Sequence, residues 1–323
     1  MLRLLQSIFG NDKQGSYPES LVKEAIERAV EGTDPWLRAV SGYKKKLRPA
    51  VIRCIDHVVA LVDGLPPPIP VHLGGYGDDP RLRSFFISAM HMKKVFSDDR
   101  SLAEFMKGPG AASSRVVALL AMEKEEKVIL GAALSGDIVI RDVPQVTVSF
   151  DAHRLIDPTG DEGETRRLLK RRAYDHLLSL ALKRLTIVKW EREDLERRRT
   201  LLQAKLNLLE REGWGFDEAD TAEKLSVADV EERLGQVEVE LKKFGGDDRL
   251  LETSLETVAD VLGHPEEYLR ASSETIFVDR MGIKQSEASH DAPEVRFGEL
   301  TNAEGRRLAV TLVSLEGEDL RGG

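Results

Sequence analysis

Residues 164–209 read ETRRLLKRRAYDHLLSLALKRLTIVKWEREDLERRRTLLQAKLNLL, and this stretch decides the architecture. Stepping from Tyr174 alternately by four and three residues lands on Leu178, Ala181, Leu185, Val188, Arg192, Leu195, Arg199, Leu202, Leu206 and Leu209. Only Arg192 and Arg199 interrupt the apolar series, and they mark places where the seam opens or meets acidic residues of another helix. Spacing of this kind lines one side of a helix that packs lengthwise against another. A second seam follows in Val227, Val230, Leu234, Val237, Leu241 and Phe244. Gly213, Trp214 and Gly215 lie between the two, so the pair predicts an antiparallel coiled-coil hairpin over 161–263. Asp161 with Glu164 caps the outgoing helix and Ser226 with Asp229 the return. Gly245-Gly246 breaks the return before Leu250, Leu251, Leu255, Val258 and Leu262 resume an apolar face.

On either side of this arm the periodicity is two. Arg115–Met122 and Lys127–Leu134 are apolar runs flanking a charged Glu-Lys-Glu-Glu segment that reads as a turn. Ser135-Gly136-Asp137 is a second turn signal, followed by strands over Asp137–Arg141 and Gln145–Phe150. After the arm, strands are expected over Glu274–Met281, Val295–Leu300 and Leu308–Leu315, with Lys284–Ala292 as a polar loop. A hairpin brings its own ends together, so 111–160 and 264–323 form two halves of one small antiparallel β domain interrupted by the arm.

Residues 16–110 read as an N-terminal helical domain. Ser16 with Glu19 suggests a capping box before the apolar face of Leu21, Val22, Ala25, Ile26, Ala29 and Val30, with Gly32 ending that helix. Asp34-Pro35 opens the next, and Pro49 is expected to split it near 35–47 and 49–63. Pro66, Pro67, Pro68 and Pro70 form a stiff connector. Asp79-Pro80 starts a helix burying Leu82, Phe85, Phe86 and Met90, and a short helix covers about 101–107. The fold class is therefore α+β. Residues 1–15 form a separate amphipathic segment and linker in which Leu4, Leu5, Ile8 and Phe9 share a face with Leu2. With Arg3 as its only cation, residues 1–10 suit docking on protein better than peripheral contact with anionic lipid.

The 323 residues carry a formal net charge of −9, which argues against a protein whose main task is coating nucleic acid. A single cysteine, Cys54, excludes an internal disulfide framework and fits a cytoplasmic setting. Its apolar surroundings point to a buried inert thiol. No apolar run reaches the length of a spanning helix, and the first ten residues lack the features of a secretory signal.

Chemistry is sparsely signalled, and no catalytic or cofactor-binding residue is assigned. Asp151, His153 and Asp157 could hold a metal or do acid–base work, although Asp157-Pro158 also reads as a turn opener. The Gly74–Asp79 loop lacks the lysine of a P-loop and carries aspartates that repel phosphate. Arg166, Arg167, Lys170, Arg171 and Arg172 form the densest basic run, a contact for nucleic acid or another anion unless it is a solvated helix face. Trp214 and Phe216 at the arm's tip either cap the seam or anchor a partner. The reading that follows is a non-enzymatic cytoplasmic adaptor or scaffold binding protein partners through its arm, with homo-oligomerisation through the coiled coil as a further use. The alternatives are a nucleic-acid-associated protein using the basic run, and an enzyme or metal protein with its site in the β domain.

Overall fold

The computed structural model describes residues 17–72, 75–77, 79–135, 138–211, 227–244 and 247–316. The chain packs as two compact units, one built from Ile55–Tyr174 with Pro265–Gly323, the other from Tyr17–Cys54 with Asp175–His264. The expected α+β class is what the structure shows, with helices and a seven-stranded sheet.

The second unit holds the arm. Helix α1 (Glu19–Thr33) is followed by a 3₁₀ turn and by the start of α2 (Tyr43–Asp63). Helix α6 (Glu162–Arg211) runs out and α7 (Val227–Phe244) and α8 (Asp247–Gly263) return. Arg184 of α6 pairs with Asp260 of α8 at 3.0 Å, while Thr200 and Gln203 share a cavity wall with Glu238 of α7. Later residues of α6 thus meet earlier residues of the return, the order an antiparallel hairpin requires. Burial follows the expected seam. Tyr174, Leu178, Ala181, Leu185 and Leu206 are buried, Val188, Arg192, Leu195, Leu202 and Leu209 half-buried, and Arg199 exposed. On α7, Val230 is buried and Leu234, Val237, Leu241 and Phe244 are half-buried, whereas Val227 is exposed. Helix α1 lies against α6 through the Arg28–Asp175 ion pair and a close approach of Gly32 to Leu178.

Pro18 is the N-cap of α1 without a side-chain hydrogen bond and Glu19 pairs with Arg48 at 2.7 Å, while Ser16, the other half of the expected capping box, lies outside the described residues. Pro49 does not divide its helix, since α2 is continuous through it. The carbonyl four residues earlier belongs to Lys45, an exposed residue on the solvent side of the helix, where losing the hydrogen bond that proline cannot donate costs least.

In the first unit the strands are β1 (Ile69–Val71), β2 (Arg115–Ser135), β3 (Ile138–Thr159), β4 (Leu269–Val278), β5 (Lys284–Gln285), β6 (Glu294–Asn302) and β7 (Arg307–Glu316). They run in the order β3-β2-β7-β6-β4-β5. Strand β7 is central: β2 pairs along one edge, while β6 and then parallel β1 share the other. Val148 donates its N–H to Gly282 O at 2.8 Å beside a Thr147–Ile283 bridge, so the two ends of the sheet meet and the sheet closes on itself.

Alternation divides β2 cleanly. Val116, Ala118, Leu120 and Met122 join one core with Val148, Phe150, Ile276, Val295, Phe297 and Val313, filled by Leu82, Phe85, Phe86, Met92, Phe96 and Leu102. Those last six come from α3 (Pro80–Phe85), α4 (Ala89–Asp98), α5 (Arg100–Lys107) and the residue after α3. Phe85, Phe150 and Phe297 meet edge-to-face at 5.1 to 6.1 Å between ring centres. Leu119, Ala121, Val310 and Leu312 face the other way, onto Leu61 and Val62 of α2, Leu65 just beyond its end, and Leu169 of α6. Asp79 caps α3 as expected, accepting from Arg81 N at 2.8 Å. Met90, expected in the core, is instead 83% exposed, because α3 stops at Phe85 and α4 begins anew, turning Met92 inward.

The largest departure lies in β2 and β3. The Glu-Lys-Glu-Glu segment is no turn. It sits inside one continuous strand, and the two strands form a single long hairpin whose register runs to Ser135 opposite Ile138.

Candidate partner-binding surface

Most of the basic run is committed inside the fold. Asp161 Oδ2 accepts from Glu164 N at 3.0 Å, starting α6 where Thr165 Oγ1 donates to Val117 O at 3.0 Å. One turn on, the Arg166 guanidinium donates to Val62 O at 2.7 Å, Leu65 O at 3.1 Å and Pro66 O at 3.3 Å, and pairs with Glu162. It thereby satisfies carbonyls left over at the C-terminus of α2. Lys170, buried, meets Asp63 at 2.8 Å at the same helix end, where a cation complements the dipole. Arg172 forms a two-pronged bridge to Asp157 at 2.7 and 2.8 Å. Arg171 is half-buried and Arg167 exposed.

Asp151, His153 and Asp157 are not assembled around a common point. Ala152 has φ of 52° and the ladder shifts register there, so the alternation placing Asp151 and His153 on one face is broken. Asp151 is exposed. His153 donates from Nε2 to Phe85 O at 2.7 Å and stacks on Phe86, with His91 edge-on at 5.3 Å. Burial lowers its pKa, with His91 adding to the effect and the Phe85 carbonyl and Asp151 opposing it. Asp157 is held by Arg172. Among the described residues no group of three or more His, Cys, Asp or Glu side chains is placed to hold a metal ion.

A cavity of about 530 Å³ opens where β6 leaves β7 and β1 takes its place, between Thr311 below and His72, Gly75 and Leu82 beside it. Its rim charges are already neutralised, Arg81 by Asp79 at 2.7 Å and Arg296 by Glu294 at 3.0 Å. The expected phosphate-repelling loop contributes Asp79 to this rim in its helix-capping role, while Gly74 and Asp78 lie outside the described residues.

Two extensions display apolar side chains. On α6, Ile187, Trp190, Leu201 and Leu208 are 49%, 62%, 71% and 61% exposed. At about 100° per residue they fall on one side of the helix, roughly opposite the buried seam. On the distal half of the β2–β3 hairpin, Val128, Ile129, Leu130 and Ile140 are also exposed, and successive positions display them on both faces. The hairpin's base is pinned by ion pairs: Lys124 with Glu274 and with Glu126 at 3.1 Å, and Glu126 with Lys284 at 2.9 Å. Burial opposes the Lys124 charge, but Glu274 and Glu126 outweigh it and raise its pKa. Lys284 leads the cations that lower that of Glu126.

Sequence reading missed the hairpin because it took charge for a turn. It missed the exposed apolar side chains on the outer side of α6 because only the seam was periodic. Trp214, Phe216, Leu4, Leu5, Ile8 and Phe9 lie outside the described residues, as do Ser226 and Gly245-Gly246. Among the described residues no helix is long and apolar enough to cross a membrane. Comparison with protein-family models, with curated proteins and with solved structures finds no match.

Proposed function

We propose that this protein is a non-enzymatic cytoplasmic adaptor or scaffold that holds a protein partner along its coiled-coil arm, with Trp214 and Phe216 as anchors at the tip. The observation that supports this reading is the set of exposed apolar side chains on the outer side of α6, Ile187 with Trp190 and, beyond charged Asp194 and Arg197, Leu201 with Leu208, on the side the seam leaves uncovered. Exposed apolar side chains on an otherwise charged helix face are suited to contact with a partner, and aromatic side chains at such a place are favoured interface anchors. The basic run supports nucleic-acid binding less well, since Arg166, Lys170 and Arg172 neutralise groups of their own fold.

The test is affinity capture of the tagged full chain from its native cell, with nuclease-treated and untreated lysates compared by mass spectrometry. A stoichiometric protein partner that survives nuclease is expected, and its loss with Trp190→Ser/Leu201→Ser or with Trp214→Ser/Phe216→Ser locates it on the arm. Partners that disappear with nuclease would overturn the proposal in favour of nucleic acid. Retention unchanged by both double variants would remove the arm from it.

A further inference from the structure

The β2–β3 hairpin treats its two edges differently. Among the described strands, β2 pairs with β7 only as far as Met122, and from Glu123 to Ser135 its outer edge has no strand beside it. The outer edge of β3 over the same length is blocked three times. Pro144 has no N–H to offer, the register shift opposite Ala132 makes a bulge with Asp142 at φ of 58°, and Arg141 and Asp142 bring charge to it. Proline, bulges and charge are the devices by which sheet edges avoid pairing. On the β2 edge none of them is present: from Val128 to Ser135 the strand reads VILGAALS, without charge or proline, and the only register shift there places its extra residue on β3.

We infer that this edge pairs with the same edge of a second copy of the chain, joining two hairpins into a four-stranded antiparallel sheet. A lone two-stranded hairpin is marginal in water, whereas four strands are enough for independent stability. A two-fold contact uses one patch twice, which suits a chain protected on one edge and open on the other. The register follows from composition. The uncharged run of β2 extends from Val128 to Ser135 and is centred on Gly131 and Ala132, so the two strands meet at their smallest side chains. The Glu125-Glu126-Lys127 segments of the two copies then lie about 30 to 43 Å apart at 3.3 Å per residue, too far for like charges to oppose pairing. This self-association is independent of the partner proposed for the arm.

Light scattering on the purified full chain over a wide concentration range is expected to show a species of twice the 36.0 kDa chain mass. Ala132→Glu and Ala132→Lys should each be monomeric with unchanged melting, and an equal mixture of the two should recover the dimer. Because Cys54 is fully buried, Ala132→Cys supplies the accessible thiol. Mild oxidation should link that variant between chains, while Arg141→Cys on the blocked edge should stay unlinked. A monomer at every concentration would overturn the inference. So would a dimer untouched by either Ala132 charge variant, or linkage at Arg141→Cys in preference to Ala132→Cys.

Discussion

Replacing Arg166 by alanine should destabilise the sheet-bearing unit far more than replacing its neighbour Arg167. Arg166 is 18% exposed, and its guanidinium reaches three backbone carbonyls at 2.7, 3.1 and 3.3 Å. Val62 and Leu65, which own the two nearer carbonyls, are 2% and 8% exposed, so water has poor access to replace the lost donor. A hydrogen bond to a charged group contributes about 1.5–3 kcal/mol net. Taking the two shorter bonds at the low end, and little from the longest and from the i,i+4 pair with Glu162, Arg166→Ala costs roughly 3 kcal/mol. At about 2–4 °C per kcal/mol for a unit of this size, Tm falls by roughly 6–12 °C. Arg166→Lys retains a cation but not the fork and should recover about half of the loss. Arg167→Ala removes the same charge from an exposed position and should stay within about 0.5 kcal/mol. Urea unfolding followed by circular dichroism, with melting curves alongside, measures all three variants. Equal effects at the two arginines would refute the capping role and return the run to the standing of a free basic face.

Three further outcomes follow from the geometry. His153 has a lowered pKa in the folded state, so between that value and the unfolded value the unfolded chain binds more protons and stability rises with pH. The contribution is full above about pH 6.5 and is lost as pH falls through it; urea midpoints should drop as the pH is lowered below that value, and His153→Gln should flatten the slope. Lys124→Ala should cost about 2 kcal/mol by stranding Glu274, whose Oε2 is already buried without a partner, while Lys124→Met/Glu274→Met should be close to neutral by the same unfolding assay. Cys54, completely buried and with its thiol pKa raised by that burial, should react with a disulfide reagent only as fast as the fold opens; prompt labelling of the native protein would contradict the packing.

The parts of the fold legible in the sequence are those fixed by local period. The seam of α6 repeats every seven residues, and Leu178, Leu185 and Leu206 are buried where that repeat places them. The hairpin was harder because Lys124 and Glu126 occupy alternate strand positions and find partners in Glu274 and Lys284, far along the chain. Their segment contains none of the glycine, proline, asparagine or aspartate that a turn needs, and that absence was the available clue. The Asp151 and His153 pairing depended on a regular strand, and nothing in the residue type announces that Ala152 adopts a left-handed conformation. Arg166 could not be distinguished from Arg167 because its partners are backbone carbonyls about a hundred residues away, which no side-chain pattern encodes.

The central place of β7 bears on how the protein is made. This strand touches β1, β2 and β6, yet it leaves the ribosome after all of them. Until then the nascent chain holds two separate β fragments, β2 with β3 and β4 with β5 and β6, and neither can complete the apolar core that Val313 and Leu315 help to fill. The arm, whose contacts are nearer in sequence, can form earlier. During that interval β2 exposes its whole outer edge, from Arg115 to Ser135, to any chain emerging nearby. Translation arrested before Arg307 would therefore release a polypeptide with a formed helical hairpin and an unclosed sheet, a substrate for chaperones or proteases.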